Sequence, residues 1–429
     1  MNVIEVLKEE IRLLRNGKNS GTSHTPPSHQ IGRPNAKSLR AKTDRKSGGQ
    51  KGHEGSTLKI KEVPDETINY IPHYCNGCSE DLQQAVSIFK ERRQEVIIPP
   101  IQARYVEHRC YSKVCTQCGK ICTGALPAYL TAPIQYGGSV GALVSYLSVY
   151  QYIPYRRMSV LLKDLFGLQI SEGSIDNLLE RMAQKALPFY NTIQQKIQHS
   201  EVVGSDETGA SCAGKKGWFH TWQTTALTFI AASLNRGYKT IEQYFPDGFP
   251  LSVYVSDCWA AQLKVVAFLH QLCTVHLIRE LRNFEDALCC KWSIDMKQLL
   301  QDAIALKKQL TPQDYLQTPA AVIQIQERLT QLLLYDPCAS HSKVQAFFKR
   351  LIKNRNSILT FLHHPKVPPD NNGSEQAIRN VKVKTKISGQ FRSERGATRF
   401  AILRSVIDTT IKNTQNVFVS LSLLANLET

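Results

Sequence analysis

The sequence predicts a multidomain chain in which a zinc-ribbon-like module and a helical domain precede an α/β core that an all-helical insertion interrupts. Two Cys-x-x-Cys pairs lie in the N-terminal third of the chain. Apolar strand-like runs rich in β-branched residues appear after residue 200, and a long helical block separates them from a basic C-terminal stretch. The 429 residues, 42% of them hydrophobic, suffice for two or three domains with a sizeable core.

The charge balance indicates the class of partner. Lys and Arg number 53 against 36 Asp and Glu, which gives a formal charge of +17. Such an excess favours a polyanion, with nucleic acid first and an acidic membrane surface second. We find no apolar run near the roughly 18 residues of a membrane span and no signal-peptide core, so we expect a cytoplasmic protein with no membrane partner. Twelve cysteines then indicate metal ligands and ordinary buried thiols in a reducing compartment.

The N-terminal 57 residues divide into two segments. Residues 1–15 place Ile4, Leu7, Ile11 and Leu14 at the seam spacing of a coiled coil, but two heptads predict only a short amphipathic helix. Residues 16–57 are rich in Gly, Ser, Pro, Lys and Arg and cannot bury a core, which predicts a flexible basic arm. The arm either lies along phosphates or is a plain linker.

The next segment, residues 58–126, is predicted to be a zinc-ribbon-like module. We expect two knuckles facing each other across a short sheet, because β-prone runs such as QEVIIPP and ARYVEHRCY lie between the pairs. The gap between the pairs is longer than usual, and redox or simply buried cysteines are the alternatives. Cys110 and Cys122 lie nearby in the sequence and are not assigned as ligands. The four predicted thiolate ligands of a structural Zn²⁺ are Cys75, Cys78, Cys115 and Cys118.

Residues 139–199 are predicted to be helical, within a domain of residues 127–199. Gly167 breaks the helical pattern, and Ser171 is a candidate N-cap for a second helix. Two helices across a tight turn predict either a helix-turn-helix, which would place its second helix in a major groove, or an ordinary αα-hairpin. The basic charge favours a helical DNA-binding domain.

Strand patterns begin the predicted catalytic core, residues 200–282. The run EVVGSDETG predicts a short strand that ends in Asp206 and Glu207, and GWFHTWQTT with LTFIAASLN predicts a hairpin. After a helical KTIEQYF, the run LSVYVSDCWAAQ predicts a buried strand that ends in Asp257. Strands of α/β sheets present active groups at their carboxyl ends, so we expect the two aspartates side by side, although a lone Asp there is usually a turn residue.

A helical block interrupts the core. We expect residues 283–369 to form an all-helical insertion and residues 370–429 to complete the core and add a pair of amphipathic helices. Just before the insertion, CTVHLIREL places Cys273 and His276 at metal-ligand spacing. With no second pair nearby, we interpret both as structural, either in packing or as a minor ligand site.

The basic stretch 370–400 carries the third acid. On a helix, Glu375, Arg379, Lys382 and Lys386 fall within one stripe. The alternative is a capping box between Asn372 and Glu375 with a solvated basic face. The predicted DNA-binding residues are Arg379, Lys382, Lys384, Lys386, Arg392 and Arg395.

Together the acids predict a metal centre. Asp206, Asp257 and Glu375 offer the hard oxygen ligands that suit Mg²⁺ or Mn²⁺. Two such ions would serve phosphoryl transfer, and three crowded carboxylates make the site metal-dependent.

The order of these features resembles the insertion-sequence-sixty-six family of DDE transposases. The runs that carry the resemblance are NSGTSHTPPS, GGQKGHEG, the two Cys-x-x-Cys pairs, the helical run from PIQYGGSVGAL to QISEGSI, SDETG, DCW, CTVHLIREL and DNNGSEQAIRNVKVKTKISGQFRS. The resemblance implies a ribonuclease-H-like core whose catalytic triad is Asp206, Asp257 and Glu375. The chain departs from the family pattern at Gln262, Leu277 and Gln376.

The resemblance also implies the reaction and the partners. Metal-dependent hydrolysis at the ends of an insertion sequence would free 3′-hydroxyls, which then attack target DNA. The partners implied are double-stranded DNA, further copies of the chain and accessory proteins, in the nucleoid of a bacterial cytosol. Two alternatives stay open: a nuclease or resolvase that cuts without joining, and a catalytically silent sequence-specific DNA-binding protein.

Overall fold

A computed structural model describes residues 58–335, 337 and 341–427 of the chain. The predicted helix at 1–15 and the predicted basic arm at 16–57 lie outside the described residues. The described chain forms two compact units, residues 58–102 and residues 103–427. In the described part, no helix is long and apolar enough to cross a bilayer.

The smaller unit, residues 58–102, has little regular structure. Tyr74 and Asp81 form an antiparallel bridge around a tight turn, and Gln94 exchanges two hydrogen bonds of 2.8 Å with the backbone of Lys61. Most of its apolar side chains are exposed, as at Tyr70 and Val86. Without a buried face, its β-prone segments have no core on which a sheet could form.

In the described part of residues 58–126, the expected short sheet is confined to one hairpin. Among the described residues of that module, the strands are β1 (Ser112–Val114) and β2 (Ile121–Thr123), which form a two-stranded antiparallel hairpin. The segments around QEVIIPP and ARYVEHRCY have no strand assignment.

The helical segment that follows matches its prediction closely. It consists of α1 (Gly138–Ser145), a π-helical turn (Tyr146–Tyr150), α2 (Tyr155–Phe166) and α3 (Glu172–Gln198). Gly167 ends α2 in the left-handed region with φ of 64°, and the Ser171 hydroxyl caps α3 by accepting from the Ser174 amide. The buried face of α3 belongs to the cores that also hold sheet residues, which favours an αα-hairpin built into the α/β unit.

A mixed five-stranded sheet forms the centre of the larger unit. The strand order is β5-β4-β3-β6-β7, in which β3, β4 and β5 are antiparallel and β6 and β7 run parallel to β3. The predicted hairpin, the KTIEQYF helix and the strand before Asp257 are all present. The elements are β3 (Val202–Cys212), β4 (Lys215–Gln223), β5 (Thr228–Ser233), α4 (Tyr238–Tyr244), β6 (Phe249–Ser256), α5 (Ala260–Leu263) and β7 (Ala267–Leu272).

One predicted strand end is wrong. Strand β3 does not stop at Asp206 and Glu207 but continues to Cys212, paired with β4 along its whole second half. Asp206 lies opposite Thr221 of β4. In the sequence alone, Asp206 and Glu207 resemble the end of a strand. Their pairing with β4 extends the strand past them, because cross-strand pairing overrides local propensity.

Helices pack the two faces of the sheet and complete the unit. The predicted helical insertion is present and forms its own apolar cluster with β6 and β7. The C-terminal pair of helices is also present. The bounds are α6 (Thr274–Leu288), α7 (Lys291–Lys307), α8 (Ala320–Leu334), α9 (Ser342–Lys353), α10 (Asn372–Ser388), α11 (Glu394–Lys412) and α12 (Val417–Ala425).

Candidate active site

Asp206 and Asp257 lie side by side because of the register between the parallel strands β3 and β6. Gly204 of β3 pairs with Val255 of β6, so the same register carried two residues further aligns Asp206 with Asp257. Asp257 follows the last residue of β6, as predicted, and its Oδ1 accepts the Trp259 amide at 2.9 Å. The central strand and its parallel neighbour therefore present both carboxylates at one place.

Helix α10 brings in the third acid. The predicted capping box between Asn372 and Glu375 is not what starts the helix, because Asn371 precedes its first turn and both Ser374 and Glu375 donate their amides to the Asn371 carbonyl. The Asn371 side chain donates to the Ser205 carbonyl at 2.6 Å and accepts from the Ser374 hydroxyl at 2.7 Å. The start of α10 is thus tied to the residue that precedes Asp206.

A glycine allows this close approach. A Cβ atom at Gly204 would lie 2.8 Å from the Ser374 hydroxyl and 2.9 Å from Asn371 Oδ1. Since successive residues of a strand point to opposite faces, Gly204 and Asp206 share the face on which α10 lies. The glycine therefore lets the first turn of α10 settle on β3 beside Asp206.

The start of α6 forms a platform for Glu375. Cys273 Sγ accepts the Asn371 amide at 3.3 Å, and both the amide and the hydroxyl of Thr274 donate to the Pro369 carbonyl. Further along, His276 Nε2 lies 3.8 Å and Arg279 Nη1 3.5 Å from Glu375 Oε1. Cys273 is thus part of the hydrogen-bonded junction between the starts of α6 and α10.

Sequence reasoning missed the role of the CTVHLIREL run beside Glu375. We considered Cys273 together with His276 and did not consider Arg279. On a helix, His276 and Arg279 are three residues apart and lie on one face. That spacing was the available signal for Arg279. Arg279 and Glu375 are 96 residues apart in the sequence, so helix spacing alone does not predict their contact.

Crowded acids control the electrostatics of the site. Burial raises the pKa of Asp206 well above its usual range, and the neighbouring charges of Glu207, Asp257 and Glu375 raise it further. Burial lowers the pKa of Lys382, while the carboxylates of Asp206 and Glu375 oppose that shift. The three predicted acids and Lys382 are therefore electrostatic neighbours.

The donor chemistry fits a divalent cation. A buried carboxylate whose pKa is raised by neighbouring carboxylates, as that of Asp206 is, is stabilised in its charged form by a cation, and Mg²⁺ and Mn²⁺ prefer carboxylate oxygens. Among the described residues, no three His, Cys, Asp or Glu side chains are grouped tightly enough to make a preformed metal site. Glu375 is engaged with Arg279, whose Nη1 lies 3.5 Å from Glu375 Oε1.

Glu207 occupies the opposite face of β3, in a closed buried network. Its side chain is 2% exposed, and its Oε1 accepts from Arg236 at 2.9 and 3.0 Å. Gln262 donates to Glu207 Oε2 at 2.8 Å and accepts from the Tyr254 hydroxyl at 2.7 Å. Glu207 is thus paired with Arg236 on the other face of β3, although its charge still contributes to the raised pKa of Asp206.

Two tryptophans enclose the Arg236 side chain. Its guanidinium carbon lies 4.8 Å from the centre of the Trp218 ring and 4.1 Å from that of Trp259. Trp259 is the residue that donates its amide to Asp257. The network therefore supports the loop that carries Asp257. Gln262, one of the departures from the pattern of the resembled family, bonds to both Glu207 and Tyr254.

The predicted DNA-binding residues differ in their surroundings. Arg379, Lys386 and Arg392 are exposed. Burial lowers the pKa of Lys384 to about 8, so this lysine carries less charge at neutral pH than an exposed one. Arg395 is exposed but contacts Glu180 of α3 at 3.0 Å.

Each Cys-x-x-Cys pair forms the same tight turn. Cys75 donates its amide to the Glu80 carbonyl at 2.8 Å, and Ser79, with φ of 63°, donates back to the Cys75 carbonyl at 2.9 Å. The second turn repeats this pattern: the Cys115 amide donates to the Lys120 carbonyl and the Gly119 amide to the Cys115 carbonyl, with Gly119 at φ of 71°.

In both turns, backbone amides point at the first sulfur. The amides of Cys78 and Gly77 lower the pKa of Cys75. The amides of Cys118 and Gln117 do the same for Cys115. A lowered pKa favours the thiolate, which is the form that binds metal. The first turn lies in the smaller unit and the second in the larger one.

A mixed α/β unit with this acidic cluster is the kind of domain found in transposases of the DDE class. More particularly, the chain matches the family described as Transposase IS66 family over residues 133–399. This match covers well over half of the chain, which therefore belongs to the IS66 family of transposases. A comparison with curated proteins finds no match.

Proposed function

We propose that this transposase cuts the ends of its insertion sequence and joins the freed 3′-hydroxyls to target DNA, using a ribonuclease-H-like core. The observation that carries the proposal is the alignment of Asp206 with Asp257, beside which Asn371 fixes the helix of Glu375. The sheet order, with three antiparallel strands continued by two parallel ones, supports the ribonuclease-H-like interpretation. Three separate chain segments would thereby supply the acids of one site.

Asp206, Asp257 and Glu375 would hold Mg²⁺ or Mn²⁺. When bound, the ions would activate the attacking oxygen and stabilise the leaving one. In the first step, water attacks a phosphodiester at the element end and the bond to the 3′ oxygen breaks. In the second, the 3′-hydroxyl attacks a target phosphodiester, and the displaced strand leaves with a 3′-hydroxyl of its own.

The chain's own cations would position the DNA. Lys382 is next to the acids, and the exposed Arg379 and Lys386 lie along the same helix stripe. These three would bind phosphates on either side of the cleaved bond. We include Lys384, Arg392 and Arg395 in the proposed DNA surface, with Lys384 contributing least because it is partly buried whereas the two arginines are exposed.

One assay tests the proposed function. The full chain is incubated with Mg²⁺ and a DNA duplex that carries an already exposed 3′-hydroxyl end of the element. We expect a covalent product that joins this end to target DNA. Cleavage of uncut ends without joining would favour a nuclease or resolvase. Specific binding without either activity would favour a silent DNA-binding protein, and both results would contradict the proposal.

The metal dependence should vary with pH. Because the pKa of Asp206 is raised in the folded chain, the folded state binds more protons than the unfolded state above about pH 4, and metal-free stability falls as pH rises. Mg²⁺ binds the deprotonated form, so the increase in melting temperature on adding Mg²⁺ should be larger at about pH 8 than at about pH 6. Calorimetry at the two pH values checks this.

The control for this measurement is Asp206→Asn. The amide cannot titrate, so the variant should lose most of the pH dependence of the Mg²⁺ effect. An equal Mg²⁺ effect at both pH values in the wild type would contradict the assignment of Asp206.

We propose that the two cysteine turns bind structural Zn²⁺ through Cys75, Cys78, Cys115 and Cys118. The support is their repeated geometry and the lowered pKa of each first cysteine. Purified protein should contain about one zinc per chain by atomic emission. Cys78→Ser should lose that zinc, and Cys289→Ser, at an exposed cysteine outside the turns, should retain it. Full zinc content in both variants would contradict the site.

A further inference from the structure

A strained aromatic residue connects the helical segment to α10. Tyr152 follows the π-helical turn Tyr146–Tyr150 and has φ of 60°, in the left-handed region. A bulky side chain avoids that region, and such conformations persist only where the surroundings impose them. π-Helical turns, too, are frequent at functional sites. Two unusual backbone features thus coincide within seven residues.

The Tyr152 side chain reaches the helix that carries Glu375. Its hydroxyl donates to Asn380 Oδ1 at 2.8 Å, across a chain separation of 228 residues. Asn380 Nδ2 in turn lies 3.4 and 3.5 Å from the two carboxylate oxygens of Asp408 on α11. Asn380 is therefore held from two sides.

A buried ion pair closes the network behind Asn380. Arg404 of α11 contacts Asp408 at 2.6 Å, and both side chains are buried. The Arg404 guanidinium donates to the Val149 carbonyl in the π-helical turn and lies 5.5 Å from the centre of the Tyr152 ring. The turn, α10 and α11 are thus joined by one set of contacts that the chemistry of the acids does not use.

The position of Asn380 along α10 determines what its hydrogen bonds restrain. The helix is tied to β3 near both ends, by Asn371 at its start and by Phe391, whose amide donates to the Ser211 carbonyl, just after its end. Asn380 lies five residues after Glu375, roughly 140° around the helix axis. A hydrogen bond there fixes the rotation of α10, and with it the direction of the stripe that bears Glu375 and Lys382.

We propose that Tyr152 and Asn380 are positioning residues that couple the helical segment 138–198 to the orientation of Glu375. The inference rests on the proposed function, since it gives Glu375 its role. If the helical segment moves on binding DNA, the hydrogen bond from the Tyr152 hydroxyl to Asn380 would change the orientation of α10 and therefore of Glu375.

The test compares Tyr152→Phe with Tyr150→Phe in the full chain. Tyr150 lies over the same Arg404 guanidinium, at 5.8 Å, and in the described part of the chain no hydrogen bond joins its hydroxyl to α10. Losing one hydrogen bond corresponds to about a fivefold change in an equilibrium. For Tyr152→Phe we expect amide hydrogen exchange within α10 to rise about fivefold and half-maximal strand transfer to need about fivefold more Mg²⁺.

Tyr150→Phe should leave both quantities unchanged. Adding Tyr152→Phe to Asn380→Ala should not raise the exchange of α10 further, because the bond is already lost. Equal exchange in the wild type and Tyr152→Phe would overturn the coupling. Absence of strand transfer by the wild type would overturn the proposed function instead, and the exchange comparison, which needs no activity, would still decide the coupling.

Discussion

Glu375→Gln is expected to abolish both end cleavage and strand transfer while DNA binding persists. The amide preserves the shape of the side chain but removes the charge that would help hold the cation between α10 and β3. Even residues that only orient a metal ligand cost about ten- to a hundredfold when replaced, so loss of the ligand itself should cost more than about a hundredfold in rate. Single-turnover assays on labelled element ends, together with gel-shift titrations, measure the two effects separately.

A matched control variant shows whether the loss of activity is specific to Glu375. Glu394→Gln makes the same change of charge at an exposed position in the first turn of α11. It should leave the cleavage rate within about twofold, because exposed charges are screened by solvent. Wild-type cleavage in Glu375→Gln would contradict the assignment of the acid, and equal losses in both variants would show a general effect of charge.

Arg236→Met is expected to give the largest loss of stability. It removes the only hydrogen-bonded cation of Glu207 among the described residues and leaves a carboxylate that is 2% exposed with the neutral Gln262 amide as its side-chain donor. Breaking a buried pair from one side costs about 3–5 kcal/mol in the free energy of unfolding. Because Arg236 also stacks on Trp259 beside Asp257, activity at a permissive temperature should fall as well. Urea unfolding followed by circular dichroism measures the loss.

The double variant Glu207→Gln/Arg236→Met separates charge from packing. It removes both charges and should recover much of the lost stability, since a neutral pair has no buried carboxylate to desolvate. A loss below about 1 kcal/mol in Arg236→Met, the size typical of an exposed pair, would contradict the buried network.

Local patterns predicted the parts of the fold that local chemistry controls. Gly167 ends a helix and Ser171 begins one because their backbone and side-chain preferences act within a single turn. Asp257 follows its strand as expected from a buried apolar run. The two Cys-x-x-Cys turns are likewise formed by contacts within five residues of each first cysteine.

The remaining features depend on long-range contacts that no pattern encodes. Asp206 lies within a strand because β4 pairs past it, and Asn371 replaces the expected capping box because the Ser205 carbonyl, 166 residues away in sequence, accepts its side chain. Arg279 and His276 meet Glu375 only after α6 and α10 pack together. The acids themselves were predictable as residue types, whereas the contacts that orient them were not.

The central claim is that Asp206, Asp257 and Glu375 form one divalent-metal centre. Titration of Mn²⁺ into the full chain bound to an element end, followed by electron paramagnetic resonance, tests it directly. Wild-type protein should bind Mn²⁺, and Asp206→Asn, Asp257→Asn and Glu375→Gln should each weaken that binding by more than about tenfold, with Glu394→Gln unchanged. Unchanged Mn²⁺ binding in all three variants would contradict the account.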